Sequence, residues 1–108
     1  MVKAKMIYDP VVDSLFVYKE GSKIYGNISL GEIIVGFDKS LNVVSVEILN
    51  PDMLFNIPKK MLESAVSASL RWQGRKSLIL IYIDLVFGNK EEMTIPITLP
   101  VEKALAVR

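Results

Sequence analysis

Apolar residues along this chain fall in short runs, rich in β-branched and aromatic side chains, that break at glycine, proline, asparagine and aspartate. That is the pattern of an all-β chain. "KMIY" (5–8) and "SLFVYK" (14–19) read as a hairpin around Asp9-Pro10, and "KIYGNISL" (23–30) follows Gly21. "EIIVGFD" (32–38) follows Gly31, and "NVVSVEIL" (42–49) closes a first block of five strands. Strict alternation in the last of these puts Val44, Val46 and Ile48 on one face and Val43, Ser45, Glu47 and Leu49 on the other.

The period changes at "NPDMLFNIPKKMLESA" (50–65). Asn50 reads as an N-cap, Pro51 suits the first helical position, and Asp52 complements the helix dipole. Pro58 limits the first turn or opens a second one, with Met61, Leu62 and Ala65 on its inner side, so residues 50–65 form a linker of one or two short helical turns. A meander follows over 66–99: "VSASLRWQ", then "SLILIYIDLVF", then "EMTIPITL", with turns at "GRK" and "GNKE". Pro96 assigns the last of these to a sheet edge, because proline cannot donate to a ladder. The tail from 100 to 108 adds a final helical turn or frays.

The pattern therefore predicts one domain of about eight antiparallel strands, folded as a two-layer sandwich or an open barrel. In "SLILIYIDLVF", Ile79, Ile81, Ile83, Leu85 and Phe87 share one apolar face. Leu78, Leu80, Tyr82, Asp84 and Val86 share the other, which is apolar apart from Asp84 and the tyrosine hydroxyl. A strand covered on both faces is central in a two-layer structure or sealed by another subunit.

Composition sharpens this picture. A mean hydropathy of +0.36 is high for 108 residues, and so small a domain has too much surface to hide that apolar area alone. A homodimer is the expected state. Thirteen basic and twelve acidic residues leave a net charge of +1, which gives no global field toward nucleic acid or anionic lipid. No apolar run has the length of a membrane helix, and the start lacks a signal-peptide core, so a cytoplasmic protein is expected.

The chemistry on offer is narrow. With no cysteine and no histidine, disulfides, thiolate catalysis, imidazole bases and the usual zinc ligands are excluded. No phosphate-binding glycine loop or nucleophile elbow is present, and no cofactor is implied. Three carboxylates are the candidate metal or acid–base groups: Asp9, Asp13 and Asp84. For Asp9 and Asp13 the preferred reading is structural, since Asp-Pro and Asp-Ser are turn chemistry between two strands. Asp84, set in an apolar strand, must find a cationic partner or carry a raised pKa. Finally, "RWQGRK" interleaves Arg71, Trp72, Arg75 and Lys76, a combination that could clamp single-stranded nucleic acid. The balanced net charge argues against that use.

One stretch carries a resemblance. In "YDPVVDSLFVY", Tyr8, Asp9, Asp13, Leu15, Phe16 and Val17, followed by Asp38, Asn42, Val44, Glu47, Ile48 and Leu49, resemble the small prokaryotic family catalogued as domain of unknown function 2283. The match spans about Tyr8 to Leu49. Two family glycines are replaced here by Leu41 and Ser45, which moves the expected left-handed residue of that turn to Asn42. The resemblance implies a small β-rich intracellular domain and carries no catalytic residue across. The function expected is therefore a non-enzymatic, oligomerising interaction or regulatory module. A carboxylate-dependent enzyme or metal binder, and a nucleic-acid binder, are the alternatives.

Overall fold

The structure is a computed structural model that describes residues 2–100. Eight antiparallel strands, β1 (Val2–Asp9), β2 (Ser14–Tyr18), β3 (Gly26–Leu30), β4 (Ile33–Phe37), β5 (Val43–Leu49), β6 (Ala65–Gly74), β7 (Leu78–Phe87) and β8 (Glu92–Pro100), form one sheet. Two single-turn helices, α1 (Pro51–Phe55) and α2 (Lys59–Glu63), connect β5 to β6. The strand order is β3-β4-β5-β2-β1-β6-β7-β8, so the edges are β3 and β8. Pro96 lies in β8, the edge its chemistry requires.

The sheet curls into a half-barrel, and β1 is where it turns. Residues Lys5–Asp9 of β1 pair with β2, whereas Val2–Ala4 pair with β6. Because no stretch of β1 holds both neighbours, the two halves of the sheet bend toward each other. Their inner faces then close on one core. Leu15, Val17, Val35, Phe37, Val46 and Ile48 come from one half, and Leu70, Ile81, Ile83, Leu85, Ile95 and Leu99 from the other. Ile57 and Leu62, from the helical connection, are fully buried in the same cluster. The residues of α2 and its flank assigned to an inner side do face this core, with Met61 and Ala65 packed at its margin.

Three local expectations are corrected by the backbone. The alternation in β5 breaks at a bulge, where the register passes from Gly36↔Ser45 to Phe37↔Val43 and skips Val44. The extra residue shifts the phase, so Val43 joins Val46 and Ile48 in the core. Asn50 does not cap α1 with its side chain. It sits in the left-handed region (φ 54°), outside the extended conformation an N-cap needs, and its Nδ2 donates to Glu32 Oε2 at 3.3 Å. The left-handed residue of the β4–β5 turn is Leu41 (φ 64°), where the family has glycine, and not Asn42. Asn42 is held instead by Asp38, whose carboxylate accepts from the backbone N–H of Ser40 and Asn42 and from Asn42 Nδ2, at 2.9–3.0 Å. The expectations for 100–108 lie outside the described residues beyond Pro100.

Candidate functional site

The β1–β2 corner shows what Asp9 and Asp13 do. Asp9 Oδ1 accepts from the Val11 N–H at 2.9 Å, an Asx turn that starts the reversal at Pro10. Asp9 is exposed. Asp13 is the opposite case, only 6% exposed and in the left-handed conformation at φ 52°. Its Oδ1 accepts from the Tyr8 hydroxyl at 2.7 Å, and its carbonyl accepts from the Asn50 N–H at 2.8 Å. The first bond closes the hairpin on itself, and the second ties the hairpin to the start of α1.

A third carboxylate completes this corner, and it was read from the sequence only as a helix-dipole residue. Asp52, in the first turn of α1, is the neighbouring acidic group that bears on the titration of Asp13. Its Oδ1 also accepts from the Met53 N–H at 2.8 Å. Burial pushes the Asp13 carboxyl up, but Asp52 and the Tyr8 hydroxyl, with Lys59 nearby, hold it below the usual aspartate range. Asp52 is pushed up, first by the neighbouring Asp13 carboxyl and then by desolvation. Burial and the bond to Asp13 keep the Tyr8 phenol far above its ordinary value. Nothing in the spacing of Asp13 and Asp52 announces the pair. The left-handed turns at Asp13 and Asn50 bring them together, and neither is glycine-marked.

Several large apolar side chains on the elements that meet at this corner are exposed. Val11 is 90% exposed and Val12 64% at the hairpin tip, and Met53 is 84% exposed on α1. Ile7 of β1 and Leu54 of α1 are also exposed, and Val66 stands at the same end where β6 begins. Large aliphatic side chains this exposed are uncommon as a group on a soluble surface.

Asp84 lies on the other half of the sheet, on its outer face. It finds the cation its position demands: Arg71 donates to it from Nε at 2.7 Å and from Nη2 at 3.0 Å. Thr94 Oγ1 donates at 2.6 Å and Ser69 Oγ at 3.4 Å, and the Arg71 guanidinium stacks 4.7 Å from the Tyr82 ring centroid. Arg71 first, then the hydroxyls, outweigh desolvation and hold Asp84 below the usual carboxylate range. A shallow cleft of about 410 Å³ runs beside it, lined by Lys3, Ser69, Glu92 and Thr94. Within one chain the outer row of β7 is half-buried at Leu78, Leu80, Tyr82 and Val86, so no second layer among the described residues covers it.

The basic–aromatic set is not assembled. Arg71 faces outward to Asp84, while Trp72, one residue on, lies on the opposite face at the mouth of the half-barrel and is 38% exposed. With its amide oxygen toward Arg75, Gln73 accepts from Nη2 and Nε at 2.6 and 2.9 Å. Lys76 is exposed in the β6–β7 turn. Lys59 and Lys60 sit at the other end of the ten-residue β6, about 30 Å away. Asp9, Asp13 and Asp84 likewise do not converge. Among the described residues no three acidic side chains are grouped as metal ligands.

These features define a small curled-sheet protein whose signature residues, Tyr8 and Asp13, bind each other. A family model described as a protein of unknown function (DUF2283) matches residues 5–50, and the chain belongs to that family. It is also 38% identical, over 92 residues, to the uncharacterised protein MJ0789 of Methanocaldococcus jannaschii. That alignment covers 84% of this chain and 79% of the relative. No solved structure matches the chain. No helix among the described residues is long and apolar enough to cross a membrane.

Proposed function

We propose that this is a non-enzymatic intracellular interaction module that self-associates through the apolar end formed by the β1–β2 tip and α1. The observation that carries the reading is the exposure of Val11 and Met53 on two elements bound to each other through Asp13 and Asn50. Burying such side chains against a second copy would remove them from water at about 25 cal/mol per Å². A two-fold contact would use the same patch on both subunits. The near-neutral chain adds little charge repulsion against such a contact. The outer row of β7 is the weaker surface, because the Arg71–Asp84 pair occupies its centre.

Size-exclusion chromatography with light scattering tests this directly. The wild type should run as a dimer at micromolar concentration, and Val11→Asp with Met53→Asp should convert it to a folded monomer. Both side chains make no core contact, so the circular dichroism should not change. A wild-type monomer, or a dimer indifferent to both substitutions, overturns the assignment.

A further inference from the structure

We propose that β3 is an open strand edge at which a second copy of this chain pairs, antiparallel and centred on Ile28. The two edges of the sheet differ in backbone chemistry. Backbone groups of an antiparallel strand point alternately toward and away from its neighbour. In β8 the Glu91 carbonyl accepts from the Phe87 N–H, so Glu92, Thr94, Pro96, Thr98 and Pro100 turn their backbone groups to the free side. Pro96 and Pro100 have no N–H to offer there, which blunts that edge. Beside β4 the Glu32 carbonyl accepts from the Leu49 N–H of β5, so Ile33, Val35 and Phe37 turn their groups to β3. Their partners are Leu30, Ile28 and Gly26, which leaves the N–H and C=O of Asn27 and Ser29 on the free side of β3. β3 carries no proline and no charge to blunt that edge.

Symmetry and charge both select another β3 as the occupant. Asn27 and Ser29 flank Ile28, so a two-fold axis at Ile28 places each Asn27 opposite Ser29 of the other copy. Each such pair exchanges both backbone hydrogen bonds, and the contact uses the same residues on both sides. Exposed Lys23 and Lys39 stand at the start of β3, lining one surface pocket with Ile24 and Tyr25. The Lys39 ammonium lies 6.0 Å from the Tyr25 ring centroid. Exposed Glu32 stands in the turn at the other end of the strand. Continued outward, the same register sets Ile24 opposite Glu32 of the other copy, so each copy's lysines meet the other's glutamate. Pairing also covers Ile24 and Tyr25, which are 46% and 57% exposed.

So short a contact is weak, and it forms above the micromolar range in which association at the apolar end is read. Its test reads two amides and not the oligomeric state. Amide exchange followed by NMR on the Val11→Asp, Met53→Asp chain removes any contribution from the apolar end. Asn27 and Ser29 should exchange almost freely at about 0.02 mM and slow several-fold by about 1 mM, while Ile28 and Leu30 stay protected throughout. Ser29→Pro, the device β8 already carries, removes an outward donor and no bond of the β3–β4 ladder, so Asn27 should then exchange freely at every concentration. Glu32→Lys should abolish the slowing by charge alone, and adding Lys23→Glu with Lys39→Glu should restore it. Amides at 27 and 29 that exchange freely at about 1 mM, or are equally protected at both concentrations, overturn the proposal. A slowing that survives both Ser29→Pro and Glu32→Lys overturns it as well.

Discussion

Single residues in this protein hold conformations that their side chains do not favour. Lys90 is the simplest case. The β7–β8 hairpin closes with Lys90 N–H to Phe87 O at 2.9 Å and Phe87 N–H to Glu91 O at 2.9 Å, leaving Lys90 left-handed at φ 71°. Hairpins of this length usually place glycine there. Its side chain is exposed and buries nothing, so Lys90→Gly should raise stability by roughly 0.5–1 kcal/mol. Chemical denaturation would show an unchanged slope and a later midpoint; a loss of stability would mean the side chain does more than the fold assigns to it. Leu41 has the same backbone problem but is half-buried, so relief of strain there is offset by lost packing. Gly36 is constrained the other way. A Cβ at 36 would collide with Ser45 Oγ on the neighbouring strand, so the serine fills space that its cross-strand glycine leaves open. None of this was legible in sequence. Left-handed Leu, Lys and Asp carry no mark of their own, and the family glycines replaced by Leu41 and Ser45 misdirected the expected left-handed residue to Asn42.

At the scale of elements the reading from sequence went further, because period-two alternation and turn residues act locally. All eight strands, the hairpin at Asp9-Pro10, the edge position of Pro96 and a helical linker about Pro58 were visible in the chain; that the linker makes two separate turns was left open by the local pattern. What local pattern could not carry was the contact between elements that meet through turns. The Tyr8–Asp13–Asp52 corner is made that way, and so its third member was missed. Asp84 was easier, since a carboxylate in an apolar strand needs a partner, and Arg71 on the neighbouring strand supplies it. The corner's contribution can be measured. Tyr8→Phe leaves the ring in place but strips the buried Asp13 carboxylate of a donor, and should cost about 2 kcal/mol at neutral pH. Asp13 is depressed, so this stabilisation is present above the ordinary aspartate value and fades as pH falls through the lowered one. A Tyr8→Phe cost that is the same at pH 7 and pH 3 would show that the ring and not the hydroxyl holds the corner.

For the whole molecule, the absence of histidine shapes the stability curve. No side chain with an ordinary value titrates between about pH 6 and 9, so folding stability should be flat there. The acid limb belongs to named carboxylates. Asp84 is held down chiefly by Arg71, Asp38 by the Asn42 side chain, and Asp13 by Asp52 and Tyr8 against its burial. Each contributes stability above the unfolded value of about 3.9 that is lost as pH falls through its own lowered value. Asp52 runs the other way, contributing below that value and losing its share as pH rises through its raised one. Tyr8, raised, sets an alkaline limit that begins above about pH 10, where the unfolded chain's phenol ionises first. Denaturant midpoints measured from pH 2 to 11 should therefore trace a plateau with a steep acid edge. Asp84→Asn should blunt that edge and lower the plateau by about 1 kcal/mol, because its bidentate partner is half-exposed. A slope through pH 6–8 would require a strongly displaced group among residues where none is placed, and would contradict the assignment of the acid limb to these three aspartates.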